Sequence, residues 1–139
     1  MKQIITLVAA SLLLWSALPA STLQASENEA IEAATVWLAL VDQGEYEKSW
    51  QEAGSLFKKS VTIEQWSTAV KDAREMLGDV VTRQFSSSEE HTSLPGVPDG
   101  RYVILFFDSV FEKKQKALET VTTMLDEGGR WRVSGYFVH

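Results

Sequence analysis

The chain has 139 residues, a formal net charge of -6 at pH 7 and no cysteine. A chain of this length is one ordinary domain, the missing cysteines exclude disulfides and thiolate metal sites, and the acidic balance argues against nucleic-acid binding, which needs a positive face. Its stability must come from packing alone.

Lys2 followed by the apolar run from Ile4 to Leu18 has the pattern of an export segment, with small-residue cleavage positions at Pro19-Ala20 and Gln24-Ala25. We read residues 1–25 as a signal peptide cut after Ala25, leaving 26–139 as one periplasmic or secreted domain. The run falls short of the roughly 20 residues a comfortable membrane helix needs, so no membrane role is expected after cleavage.

Ser26 with Glu29 has the spacing of a capping box and predicts a helix start there. Ala30, Ala34, Trp37 and Val41 then form one apolar stripe, and Gly44 is placed to end the helix. Tyr46, Trp50, Ala53 and Phe57 repeat the spacing and predict a second helix. Thr62 and Gln65 form another capping box, opening a third helix with Trp66, Val70, Ala73 and Leu77 on its stripe and Gly78 as its stop.

Beyond Gly78 the period changes to that of extended chain, rich in Val, Thr, Phe, Tyr and Ile. Four strands fit, near 79–92, 101–112, 116–125 and 130–138. The turn-rich segment 94–100 and Gly128-Gly129 join them as hairpins. The fold class is therefore α+β: three N-terminal helices packed on one face of a curved, four-stranded antiparallel sheet.

The segments WLALVDQGEYEKSW (37–50), FKKSVTIEQW (57–66), LPGVPDGRYVILFF (94–107), ALETVT (117–122) and GRWRVSGYF (129–137), taken in order, resemble an uncharacterised family of exported bacterial proteins known as domain of unknown function 4019. That resemblance transfers no catalytic residue. The order of helices before sheet also resembles the cone-shaped, nuclear-transport-factor-2-like organisation, whose members include isomerases, dehydratases, ligand binders and dimerisation modules. Such a fold leaves function open.

Proton-transfer chemistry of the isomerase type needs a carboxylate base and a tyrosine or protonated acid for the oxyanion. Asp42, Tyr46, Asp108, Glu119 and Tyr136 supply the residue types without a matching motif. Asp42 reads equally as a turn residue, and Tyr46 as core. Glu119 lies among apolar residues and threonines of a strand, and facing inward it would need a partner such as Arg74, Arg83 or Arg132. An exposed strand face is the alternative.

Strict alternation along the last strand puts Trp131, Val133, Gly135 and Phe137 on one face, read as core. It puts Arg132, Ser134, Tyr136 and Val138 on the other, so Arg132 and Tyr136 become candidates for a surface strip or a homodimer contact. Gly135 also reads as a bulge or bend that curves the sheet. The ligand-pocket candidates are Trp37, Tyr46, Trp50, Trp66, Glu119 and Trp131.

His91 and His139 lack metal-ligand spacing, and no nucleophile elbow, phosphate loop or dinucleotide fingerprint is present, so neither metal nor cofactor is expected. Lys113, Lys114 and Lys116 read as a solvated hairpin. The segment 94–100 reads as a rigid connector or a loop for partner contact. Binding of a small apolar or amphipathic ligand, or of a protein, in a pocket between sheet and helices is the leading expectation, with a cryptic isomerase or dehydratase and a homodimerisation domain as alternatives.

Overall fold

The computed structural model describes residues 20–139. Of the export segment expected over 1–25, residues 1–19 lie outside the described residues. Four helices come first, α1 (Ala20–Asp42), α2 (Tyr46–Glu52), α3 (Ser55–Ser60) and α4 (Ile63–Leu77). Four strands follow, β1 (Val80–His91), β2 (Tyr102–Phe111), β3 (Lys114–Asp126) and β4 (Arg130–Val138). The strands form one antiparallel meander in the order β1-β2-β3-β4, as expected.

The helix stops act as read. Gly44 is left-handed at φ 75°, its N–H bonds Val41 O at 3.0 Å, and Glu45 N–H bonds Leu40 O at 2.9 Å, which closes α1 in a Schellman arrangement. Thr62 and Gln65 exchange their capping bonds at the start of α4. Gly78 ends that helix at φ 74°, where a Cβ would lie 2.8 Å from Glu112 Oε2.

Two helix expectations need correction. The chain is already helical from Ala20, so Ser26 lies inside α1 rather than capping it, and its hydroxyl donates to Thr22 O one turn back at 3.1 Å. The expected second helix is two, giving four helices instead of three. Ala53 and Gly54 are extended (ψ 164° and 162°) because the next amides are taken by the sheet. Gly54 N–H donates to Val133 O at 2.7 Å, and the Asp126 carboxylate receives Ser55 N–H at 2.9 Å and Ser55 Oγ–H at 2.7 Å. Charge-assisted bonds to a helix start compete well with continuing the helix.

The core lies between the helices and one sheet face. Ala30, Ala34, Trp37, Leu38 and Val41 of α1 meet Val103, Leu105, Phe107, Val121, Trp131 and Val133, with Phe57, Trp66 and Val70 closing the side. Trp37, Phe57, Trp66 and Tyr136 form an aromatic cluster with centroid separations of 5.0 to 6.3 Å. Ser49 knits it together: Trp37 Nε1–H donates to Ser49 O at 2.8 Å and Trp66 Nε1–H to Ser49 Oγ at 2.9 Å. Buried indoles thereby keep their one polar atom satisfied.

Strict alternation fails in β4. A register shift separates the pairs Thr122–Gly135 and Thr123–Val133, leaving Ser134 as the extra residue. The bulge anticipated around Gly135 is real, and it reverses the faces beyond it. Trp131 and Val133 point to the core, but so does Tyr136, while Phe137 is 64% exposed on the side without helices. Arg132 and Tyr136 therefore do not share a strip, and Phe137 is not core.

Candidate functional site

Two places gather chemistry-bearing residues. The first is a buried network at the junction of α1, α4 and the sheet. Trp66, Val70 and Arg74 are the buried residues of α4, so its core stripe ends in a guanidinium. Asp42 arrives from the end of α1, Arg83 from β1, Ser109 from β2, Glu119 from β3 and Tyr136 from β4.

Glu119 is fully buried. Its Oε1 accepts from Arg83 Nε at 2.7 Å and Ser109 Oγ at 2.6 Å. Its Oε2 accepts from Arg83 Nη2 at 3.1 Å and from the Tyr136 hydroxyl, and Arg74 Nη2 stands 3.6 Å away. Asp42 accepts from Arg74 Nη1 at 2.8 Å and from both Nη atoms of Arg83 at 2.7 and 3.0 Å. Arg74 Nη2 also donates to Tyr136 Oη at 3.1 Å, and its guanidinium lies over the Phe111 ring. Two acids and two arginines balance in charge, and every buried oxygen has a donor.

The titration shifts follow from this geometry. Burial would raise the Asp42 pKa, but the hydrogen bonds and charge of Arg83, then Arg74, hold it below the usual carboxylate range. Burial would lower both arginines, and the acids outweigh it so that they stay charged. Burial first, and the Glu119 charge second, push the Tyr136 phenol well above its ordinary value. Tyr136 is accordingly a fixed hydrogen-bond donor.

The second place is a groove of about 680 Å3 between α1, α2 and β4. Its apolar lining includes Ala33, Val36, Trp37, Leu40, Trp131 and Val133, and its charged rim carries Glu29, Glu32, Lys48, Glu52, Arg130 and Arg132. Val36 is 61% exposed. Arg132 turns toward α2, donating to Glu52 O at 3.0 Å. Trp131 is braced from behind by the Arg101 guanidinium, 5.6 Å from its ring.

The sequence candidates thus divide. Trp37 and Trp131 meet at the groove with Arg132. Trp66 belongs to the aromatic core, Tyr46 and Trp50 are half-buried against it, and Trp50 Nε1–H donates to Val61 O at 2.9 Å. Tyr46 lines a separate shallow hollow with Lys48 and Lys71. Glu119 and Tyr136 meet in the network, with Arg74 and Arg83 as the partners and Arg132 elsewhere. Asp108 is exposed on the other sheet face. Sequence reasoning missed Asp126 as the clamp on α3, because an Asp before Gly-Gly reads as a turn residue, and missed Ser109, which carries no local signal.

Among the described residues no cluster of His, Asp and Glu could hold a metal ion, and no helix is long and apolar enough to cross a membrane. The family model described as a protein of unknown function, DUF4019, matches residues 33–136. The chain belongs to the DUF4019 family. The match takes in the whole network and nearly all of the groove lining, so both are parts of the DUF4019 domain itself. No curated protein and no solved structure matches the chain.

Proposed function

We propose that this DUF4019 protein is an exported, non-enzymatic binding module whose ligand site is the groove between α1, α2 and β4. One observation carries the reading: an open hollow floored by Val36, Leu40 and Trp131 stands beside charged groups at its rim. Exposed apolar surface framed by polar groups is the usual form of a recognition site for an amphipathic ligand. Catalysis by Glu119 is the weaker reading. Its two oxygens are taken by Arg83, Ser109 and Tyr136, its side chain is fully buried, and it lines none of these hollows.

The test is a thermal-shift and native mass spectrometry screen against amphipathic small molecules and peptides, run on wild type and Val36→Asp. Ligand-dependent stabilisation in wild type and its loss in the variant are expected, with the unliganded stabilities within about 0.5 kcal/mol because the position is exposed. If no compound shifts either protein, the reading is wrong.

A second reading rests on Phe137, exposed on the helix-free sheet face opposite Thr120 of β3, with Leu118 of β3 and, one strand further, Phe106 of β2 on the same face. It makes that face a homodimer contact. Sedimentation of wild type against Phe137→Glu decides it, and monomers throughout would end it.

A further inference from the structure

We propose that the groove receives an extended peptide of a partner protein as a fifth strand on the free edge of β4, with apolar side chains facing α1 alternating with acidic side chains facing outward. The inference rests on the groove being the binding site and names what enters it.

The backbone sets the direction. Leu125 N–H donates to Arg101 O at 2.9 Å, away from β4. Its partner across the ladder, Trp131, is therefore in a non-hydrogen-bonded pair, with its own N–H and C=O turned outward from the sheet. Val133 confirms the phase, since its carbonyl already points outward and accepts Gly54 N–H at 2.7 Å. The chain thus performs one step of strand addition on this edge itself, at Gly54, and then α3 turns away. Gly54 fills the edge at Val133, and from Arg132 back to Gly129 the edge adjoins the groove, whose lining includes these four residues.

The two sheet edges differ in their protection. The edge strand β1 carries Arg, Gln, three serines, two glutamates and a histidine, and has two register shifts. Such features discourage pairing. The Arg130–Val133 stretch of β4 has neither proline nor bulge and retains alternating arginine and apolar residues.

Side-chain chemistry chooses the occupant. Trp131 faces the helices, so positions of an added strand beside it meet Val36 and Leu40 and favour apolar residues. Arg130 and Arg132 alternate with Trp131 and Val133 along the strand; Arg132 is engaged by Glu52, whose O and Oε2 lie 3.0 and 3.6 Å from Nη1, so Arg130 is the cation left to pair with an acidic side chain across the strands. Arg130 has no side-chain partner among the described residues. Glu29 and Glu32, exposed on the helix wall, repel acids from the inner face and so fix the phase of the alternation. Backbone bonds supply affinity and alternate side chains supply specificity in recognition of this kind.

The probe is an acetylated, amidated peptide of sequence Thr-Glu-Val-Glu-Val-Glu-Thr, compared with the same residues ordered Thr-Glu-Glu-Val-Val-Glu-Thr and with a form of the first N-methylated at both valines. Binding is read by tryptophan fluorescence, and amide exchange by NMR. The alternating peptide should bind at least tenfold more tightly than either control, slow exchange at Trp131, and lose about tenfold in affinity to Arg130→Glu. Equal binding of the N-methylated form, or unchanged Trp131 exchange, overturns strand addition. A small amphiphile that binds the groove while the peptide does not overturns it as well, yet leaves the groove as a binding site. Failure of peptide and amphiphile alike removes both.

Discussion

The junction around Glu119 and the groove along β4 use the same residue types to opposite ends. At the junction each acid faces arginine, each oxygen has a donor, and the groups are walled in by Phe111 and the aromatic cluster. At the groove, Arg130, Glu29 and Glu32 are exposed, and a backbone edge lies beside them. The difference teaches that charge alone does not mark a site. A satisfied buried charge ties helices to strands, whereas charges left unpaired beside apolar surface remain available to another molecule.

The comparison breaks most forcefully at the junction. Glu119→Ala or Arg83→Ala should cost about 3–5 kcal/mol in urea unfolding, because each leaves the buried network with one charge in excess. A loss below about 1 kcal/mol would mean that the network is solvated and the contrast false. Ser49→Ala, which strands the Trp66 indole N–H while leaving the backbone bond to Trp37, should cost about 1–3 kcal/mol.

Proton linkage sharpens the same contrast. The folded pKa of Asp42 lies below its ordinary 3.8, so its contribution is whole above that value and drains away as pH falls through the folded pKa. Unfolding free energy should drop in acid below about pH 4, with a shallower slope in Asp42→Asn. Tyr136 works in the other direction. Burial and the Glu119 charge raise its folded pKa, so its contribution is whole below the unfolded value of 10.0 and is lost as pH rises beyond it. Tyr136→Phe should flatten that alkaline loss. The smallest effect belongs to the groove: Arg130→Glu should alter stability by no more than about 0.5 kcal/mol and change peptide affinity alone.

Signals confined to a few neighbouring residues were legible in the sequence. The Thr62–Gln65 box, the glycine stops and the hairpin turns depend on local geometry, and they hold. The Ser26–Glu29 spacing misleads because the same pattern inside a continuing helix has no free amides to cap. At Ala53-Gly54 periodicity cannot register that Val133 and Asp126, far along the chain, take the amides there. Glu119 stood out as a charge among apolar neighbours, and Arg74 and Arg83 were among its nominated partners. The meeting with Tyr136 was hidden by Ser134, since an unbroken alternation and a bulge beside Gly135 give opposite faces to everything that follows.

Ser49 has a practical consequence. Its hydroxyl and carbonyl receive the indoles of α1 and α4, and Ser49 Oγ–H donates to Tyr46 O at 2.6 Å, so a small rotation of α2 alters the surroundings of two tryptophans together. Because α2 also forms one wall of the groove through Lys48 and Glu52, the protein carries an optical gauge wired to that wall. Emission from Trp37 and Trp66, separated from that of Trp131 by single tryptophan-to-phenylalanine replacements, distinguishes a ligand that merely lies in the groove from one that moves its wall.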